Sequence, residues 1–182
     1  MAGTPKVVLV TGMQAAGKST IAPLLAARMG PPAATLDGDV FFRGVVAGAE
    51  VMTPDPSAEA VRQLELRYDA SALVAQHYAD AGFDFVCSDI ILGDDVERWF
   101  SRLHDVDPYL VVLVPSVESI VEREIGRGGA NSYRDWGPSL EDGVRALQAG
   151  LDEIPRRGLW LDTSGQTAAE TVDGIDLEKA RW

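Results

Sequence analysis

An α/β fold is what this sequence predicts: three layers, with a five-stranded parallel sheet, helices on both faces and a small lid. Three observations carry that expectation. Short continuous apolar runs alternate with longer helical patterns along the 182 residues, the order that builds parallel sheets. A glycine-punctuated turn joins the first run to the first helix. No repeat or linker interrupts the chain, so residues 1–182 read as one domain.

The elements follow in order. Residues 6–11 read as a buried strand, because Val7-Val8-Leu9-Val10 is continuously apolar. After the turn at 12–17, residues 18–29 are helical and Gly30-Pro31-Pro32 stops them. A second strand over 33–36 ends at Asp37-Gly38-Asp39. The stretch 40–56, broken by Gly44, Gly48, Pro54 and Pro56, reads as an irregular binding region. Ser57 caps a long helix to about residue 81, and Gly82 ends it. A third strand spans 83–88 and ends at Asp89; a helix from 94/95 to about 104 follows. Strand 110–114, a helix from Ser116 to 126, a polar lid over about 127–138, helix 139–153, strand 159–161 and helix 168–175 complete the chain.

Composition narrows the function. Sixteen basic against 28 acidic residues leave a net charge of −12, a field that repels a nucleic-acid backbone. No nucleic-acid partner is expected. No apolar run reaches the roughly 18–20 residues of a membrane span, and the opening residues lack the pattern of an export signal. A single cysteine, Cys87, points to a reducing, cytoplasmic setting and reads as a buried structural thiol.

One motif decides the class. Gly12-Met13-Gln14-Ala15-Ala16-Gly17-Lys18-Ser19 fits G-x-x-x-x-G-K-[ST], and it sits between a strand and a helix, as a P-loop NTPase fold requires. Glycines let the backbone approach a polyphosphate closely. The amides of Ala15, Ala16 and Gly17 and the start of the next helix supply positive dipole ends to the phosphates, with Thr20 beside them. Lys18 reaches the β- and γ-phosphates and Ser19 ligates Mg²⁺, so ATP and Mg²⁺ are the expected cofactors. The guanine-recognition pattern N/T-K-x-D is missing after Val114 and Leu161, which turns the reading from GTPase to small-molecule kinase.

The acceptor side is read from position. Asp37 and Asp39 follow the second strand, at the carboxyl edge of the sheet, where a carboxylate can take the proton of an acceptor hydroxyl. Asp39 is preferred as that base, with Asp37 as helper or runner-up. Asp89 stands at the third strand's end, to hold a Mg²⁺-bound water, contact the acceptor or merely cap the strand. Arg127 and the lid's Arg134 are expected at the moving phosphoryl group, and Arg123, about one turn before Arg127, beside the nucleotide. Phe42 and Arg43 are placed to line the acceptor pocket; Arg43, Arg62 and Arg67 could anchor an anionic acceptor, with a solvent-facing role the leading expectation for each. Thr163 sits either against adenine or ribose or in a plain turn. His77 and His104 have no metal-ligand spacing.

Several segments together resemble chloramphenicol phosphotransferase and its antibiotic-kinase relatives: the P-loop itself, Leu36-Asp37-Gly38-Asp39, the run from Ser88-Asp89-Ile90 through Glu97-Arg98-Trp99, Arg123-Glu124 with Arg127-Gly128, and Leu161-Asp162-Thr163. The resemblance implies an ATP-dependent kinase acting on a hydroxyl of an antibiotic in a resistance role, with Asp39 at the position of the catalytic aspartate. Met13-Gln14-Ala15, residues 128–136, and Phe41, Phe42 and Arg43 depart from that family's pattern. The acceptor therefore stays open among chloramphenicol, a nucleoside-type antibiotic such as capuramycin and an ordinary metabolite. The competing readings are a metabolic kinase of the gluconate, shikimate or nucleotide type, and a slowly hydrolysing nucleotide switch. The sequence does not fix the oligomeric state.

Overall fold

The computed structural model describes residues 3–128 and 133–182. Five strands form one sheet: β1 (Lys6–Gly12), β2 (Ala33–Asp37), β3 (Asp84–Ser88), β4 (Asp107–Leu113) and β5 (Leu159–Leu161). Their spatial order is β2-β3-β1-β4-β5 and every pairing is parallel. The register sets Leu9 of β1 beside Cys87 of β3 and Leu110 of β4.

Among the described residues, seven α-helices surround the sheet: α1 (Lys18–Met29), α2 (Asp39–Arg43), α3 (Ala58–Asp80), α4 (Asp95–Phe100), α5 (Val117–Arg127), α6 (Leu140–Asp152) and α7 (Ala168–Gly174). Alternation along the strands divides the core into two layers. Val7, Leu9, Phe85, Cys87, Leu110 and Val112 pack with residues of α3, α4, α5 and α6. Val8, Val10, Val86, Val111 and Leu113 pack with residues of α1 and α7. Covered on both faces, β1 must be apolar at every position from Val7 to Val10, and none of those four is exposed.

Local chemistry places the helix starts. Ser57, Ser116 and Ser139 each accept an amide proton three residues on, and Thr167 forms a reciprocal capping box with Glu170. Three boundaries differ most from the sequence expectation, the first being β4, which begins at Asp107, three residues before the expected 110. Residues 39–43 form a helical turn that runs into the stretch 40–56 read as irregular, with Asp39 as a favourable first-turn anion. Helix α4 stops at Phe100, short of residue 104, and Asp105 turns the chain with a φ of 53°.

The expected lid falls partly outside the described residues, at 129–132. On its far side Tyr133 is fully buried, Arg134–Trp136 form a 3-10 turn, and Tyr133 Oη donates to Gln14 O at 2.6 Å. No helix among the described residues is long and apolar enough to cross a membrane.

Candidate active site

The turn between β1 and α1 is a cradle of backbone. Gly12 has a φ of 146°, and a Cβ there would lie 2.6 Å from the carbonyl oxygen of Leu113 on β4. Only glycine fits that close approach. Ala15 (φ 62°) and Gly17 (φ 99°) turn the chain through the left-handed region, and Ala16 N closes the loop on Met13 O at 3.1 Å. The amides of Gly17, Lys18 and Ser19 donate to no protein acceptor among the described residues. The first turn of α1 carries no acidic side chain. Unpaired amides at the positive end of a 12-residue helix suit a polyphosphate. Ser19 and Thr20 are exposed beside them. Lys18 Nζ donates to Met13 O at 2.8 Å. Burial pushes its pKa down to about 8, against the upward pull of Asp89, Asp39 and Asp37.

Adjoining this cradle, the ends of β2 and β3 bring together the three predicted carboxylates. Gly38 N donates to Ser88 O at 2.9 Å, and Asp39 N donates to Asp37 Oδ1 at 3.0 Å. The Asp89 carboxylate fits directly beneath Gly38: a Cβ on that glycine would come within 1.9 Å of Asp89 Oδ2. Thr11 steadies the segment after Asp89, its hydroxyl donating to Ile91 O (2.7 Å) and accepting from Ile91 N (3.1 Å).

Arg67 of α3 occupies the centre of this cluster. Its Nε donates to Asp89 Oδ2 at 3.0 Å, its Nη2 to Asp89 Oδ1, and the same Nη2 to Asp39 Oδ1 at 2.8 Å. The solvent-facing role expected for Arg67 is thereby corrected. Its neighbour Tyr68 is in the core and donates to Ile90 O, so α3 carries Arg67 against the end of β3, where an enclosed carboxylate needs a counter-charge. Burial pushes Asp89 up from the ordinary carboxylate range, while Arg67, the Ile90 amide and Lys18 act in the opposite direction. Arg62 does face solvent and pairs with Glu59. Arg43 is exposed, 3.9 Å from Asp39 Oδ2, and Phe42 lies on the same short helix, partly exposed.

On the other side of the cradle a cavity of about 300 Å³ opens between α1, α5 and the turn after β5, lined among others by Ala16, Thr20, Arg123, Arg127, Thr163 and Gln166. Arg123 Nη2 donates to Thr163 O at 2.7 Å, and its Nη1 lies 3.5 Å from both Ala15 O and Ala16 O. It therefore ties α5 to the cradle and to the β5 turn. Thr163 is 1% exposed and its hydroxyl has no hydrogen-bond partner among the described residues. Arg127 is exposed at the cavity rim, whereas Arg134 is exposed on the 3-10 turn and does not line the cavity.

The donor set fits a nucleotide with its magnesium ion. The cradle supplies amides and an ammonium, and Ser19 supplies an exposed hydroxyl. Asp37 Oδ2 accepts no hydrogen bond among the described residues. Asp89 differs: its side chain is 0% exposed and both oxygens are engaged.

Sequence reasoning missed Arg67 and Tyr133. An arginine on a helix whose neighbours include Glu59, Arg62 and Glu65 looks like part of a solvated face. Tyr133 gave a usable signal, an aromatic side chain in an otherwise polar, glycine-rich stretch.

Solved structures share this architecture. A sugar kinase from Janibacter sp. HTCC2649 superposes with a TM-score of 0.65 at 17% identity, covering 94% of this chain and 92% of that one. The APS kinase CysC of Mycobacterium tuberculosis, in complex with AMPPNP and APS, gives 0.65 at 20% identity, with 94% and 95% covered. A gluconokinase from Sinorhizobium meliloti 1021 gives 0.59 at 19%, with 93% and 89% covered. At such identities the likeness establishes the fold. No curated protein matches the chain. The family described as chloramphenicol phosphotransferase-like protein matches residues 5–177, nearly the whole sequence. The chain belongs to the chloramphenicol phosphotransferase-like family.

Proposed function

We propose that this protein is an ATP-dependent kinase that transfers the γ-phosphate to a hydroxyl of a small molecule, with an antibiotic as the acceptor class its family suggests. The observation that carries this reading is the pairing of an open amide cradle at α1 with a half-buried carboxylate, Asp39, on the adjoining strand end. A nucleotide held by the first would have its terminal phosphate near the second.

In this reading the amides of Gly17, Lys18 and Ser19 bind the phosphates, and Lys18 offsets their charge. Thr163 and Arg123 flank the nucleoside end. Ser19, with Asp37 nearby, would hold Mg²⁺, which supplies charge neutralisation across the β- and γ-phosphates. Asp89 serves as the enclosed counter-anion of Arg67 and Lys18. Asp39 takes the acceptor proton as the acceptor oxygen bonds to the γ-phosphorus; the bond from that phosphorus to the β,γ-bridging oxygen breaks and ADP leaves. Arg127 is positioned on α5 to offset charge on the moving group, and Arg134 approaches only if the 3-10 turn moves. Phe42 and Arg43 border the acceptor. Closure over the site would exclude water as a competing acceptor.

The test is incubation with ATP and Mg²⁺ against a panel of chloramphenicol, nucleoside antibiotics, gluconate and shikimate. Mass spectrometry then looks for a product that has gained one phosphate. With an acceptor in hand, Asp39→Asn is expected to lower turnover about 10²- to 10⁴-fold while Mg-ATP affinity holds. Undiminished turnover removes Asp39 from the mechanism.

A further inference from the structure

Arg67 is the one arginine of the acceptor side whose guanidinium is largely enclosed: its side chain is 14% exposed, against 64% for Arg43 and 64% for Arg62. It spends its donors on two carboxylates from different strand ends, Asp39 after β2 and Asp89 after β3. Asp89 has no access to water, so its charge must be met by protein. Besides Arg67, Lys18 is a partly buried cation within electrostatic reach of Asp89 and Asp39. Yet Lys18 makes its hydrogen bond to Met13 O on the cradle and none to either carboxylate. Asp39, for its part, is gripped at Oδ1 only. Its Oδ2 accepts no hydrogen bond among the described residues and has Arg43 at 3.9 Å.

We infer that Arg67 is a positioning residue of the phosphate site: by occupying Asp39 and Asp89 it keeps Lys18 on the cradle, free to meet a nucleotide, and holds Asp39 with one oxygen open. Without Arg67, two carboxylates and one ammonium share a small space, and the ammonium is drawn off the cradle. The inference rests on the nucleotide-binding reading of the cradle.

Binding of Mg-AMPPNP, followed by calorimetry, tests it without knowledge of the acceptor, and circular dichroism reports folding. Arg67→Met is expected to weaken binding at least about tenfold. The double variant Arg67→Met/Asp89→Asn, which removes the stranded charge, is expected to return to within about threefold of the parent, a recovery that a packing role for Arg67 would not produce. Should Arg67→Met fail to fold, the double variant and Arg67→Lys carry the test: Arg67→Lys keeps the charge and is expected within about threefold of the parent. Folded Arg67→Met that binds like the parent overturns the inference alone, as does a folded double variant or Arg67→Lys that has lost tenfold. A parent protein that binds no Mg-AMPPNP overturns both the inference and the nucleotide site.

Discussion

Lys18 is a cation held where water is scarce, and its chemistry follows from that. Its folded pKa stands at about 8, below the ordinary 10.5. Between those values the unfolded chain holds a proton that the folded chain has released, so Lys18 makes stability rise with pH across that window. Nucleotide binding has the opposite preference, because phosphates favour the ammonium. Affinity for Mg-ATP is therefore expected to fall as pH rises through about 8, with uptake of about one proton per bound nucleotide near pH 9. Calorimetry in two buffers of different ionisation enthalpy checks this; heats independent of the buffer would contradict it. The position of Lys18 was legible because the motif fixes it between two glycine-dependent turns. Arg67 was not, since its partners lie 22 and 28 residues away and meet it only when α3 packs on the sheet. The same holds for Gly38, whose need to be glycine comes from a carboxylate 51 positions along the chain, not from its own backbone angles.

Helix α5 is the element that joins the two halves of the proposed nucleotide site. Ser116 caps it, and Ser116 N also donates to Ser164 Oγ at 2.7 Å. One turn before its end, Arg123 reaches three backbone carbonyls, two on the cradle and one at Thr163. Arg123→Met is expected to raise the dissociation constant for Mg-ATP by about tenfold or more, since a charged hydrogen bond contributes about 1.5–3 kcal/mol. Fluorescence titration with a labelled nucleotide measures it, and unchanged affinity would confine Arg123 to tying α5 to the cradle. Helix starts were readable because serine and threonine caps act over three residues. The one-turn helix α2 was not, because its glycine- and proline-broken surroundings mask a helix that contacts with α3 and the Asp37 carboxylate help to hold.

The order of strands and helices, the parallel sheet and its two-sided core all follow from a periodicity that burial imposes on the whole chain. Which side chains meet across that sheet is set by register, and register is not written in any one segment. Cys87 shows what the finished arrangement implies. The chain has one sulfhydryl, fully enclosed on β3 with Leu9 on one side and Leu36 on the other, and burial raises its pKa well above the ordinary thiol value. An alkylating reagent can reach it only after β3 parts from its neighbours. Iodoacetamide labelling, read as a mass increment, is thus a built-in clock for opening of the molecule. Mg-ATP at about 100 times its dissociation constant should slow that clock about a hundredfold, provided opening empties the cradle; labelling that ignores the nucleotide would mean that β3 can come away while the cradle stays intact.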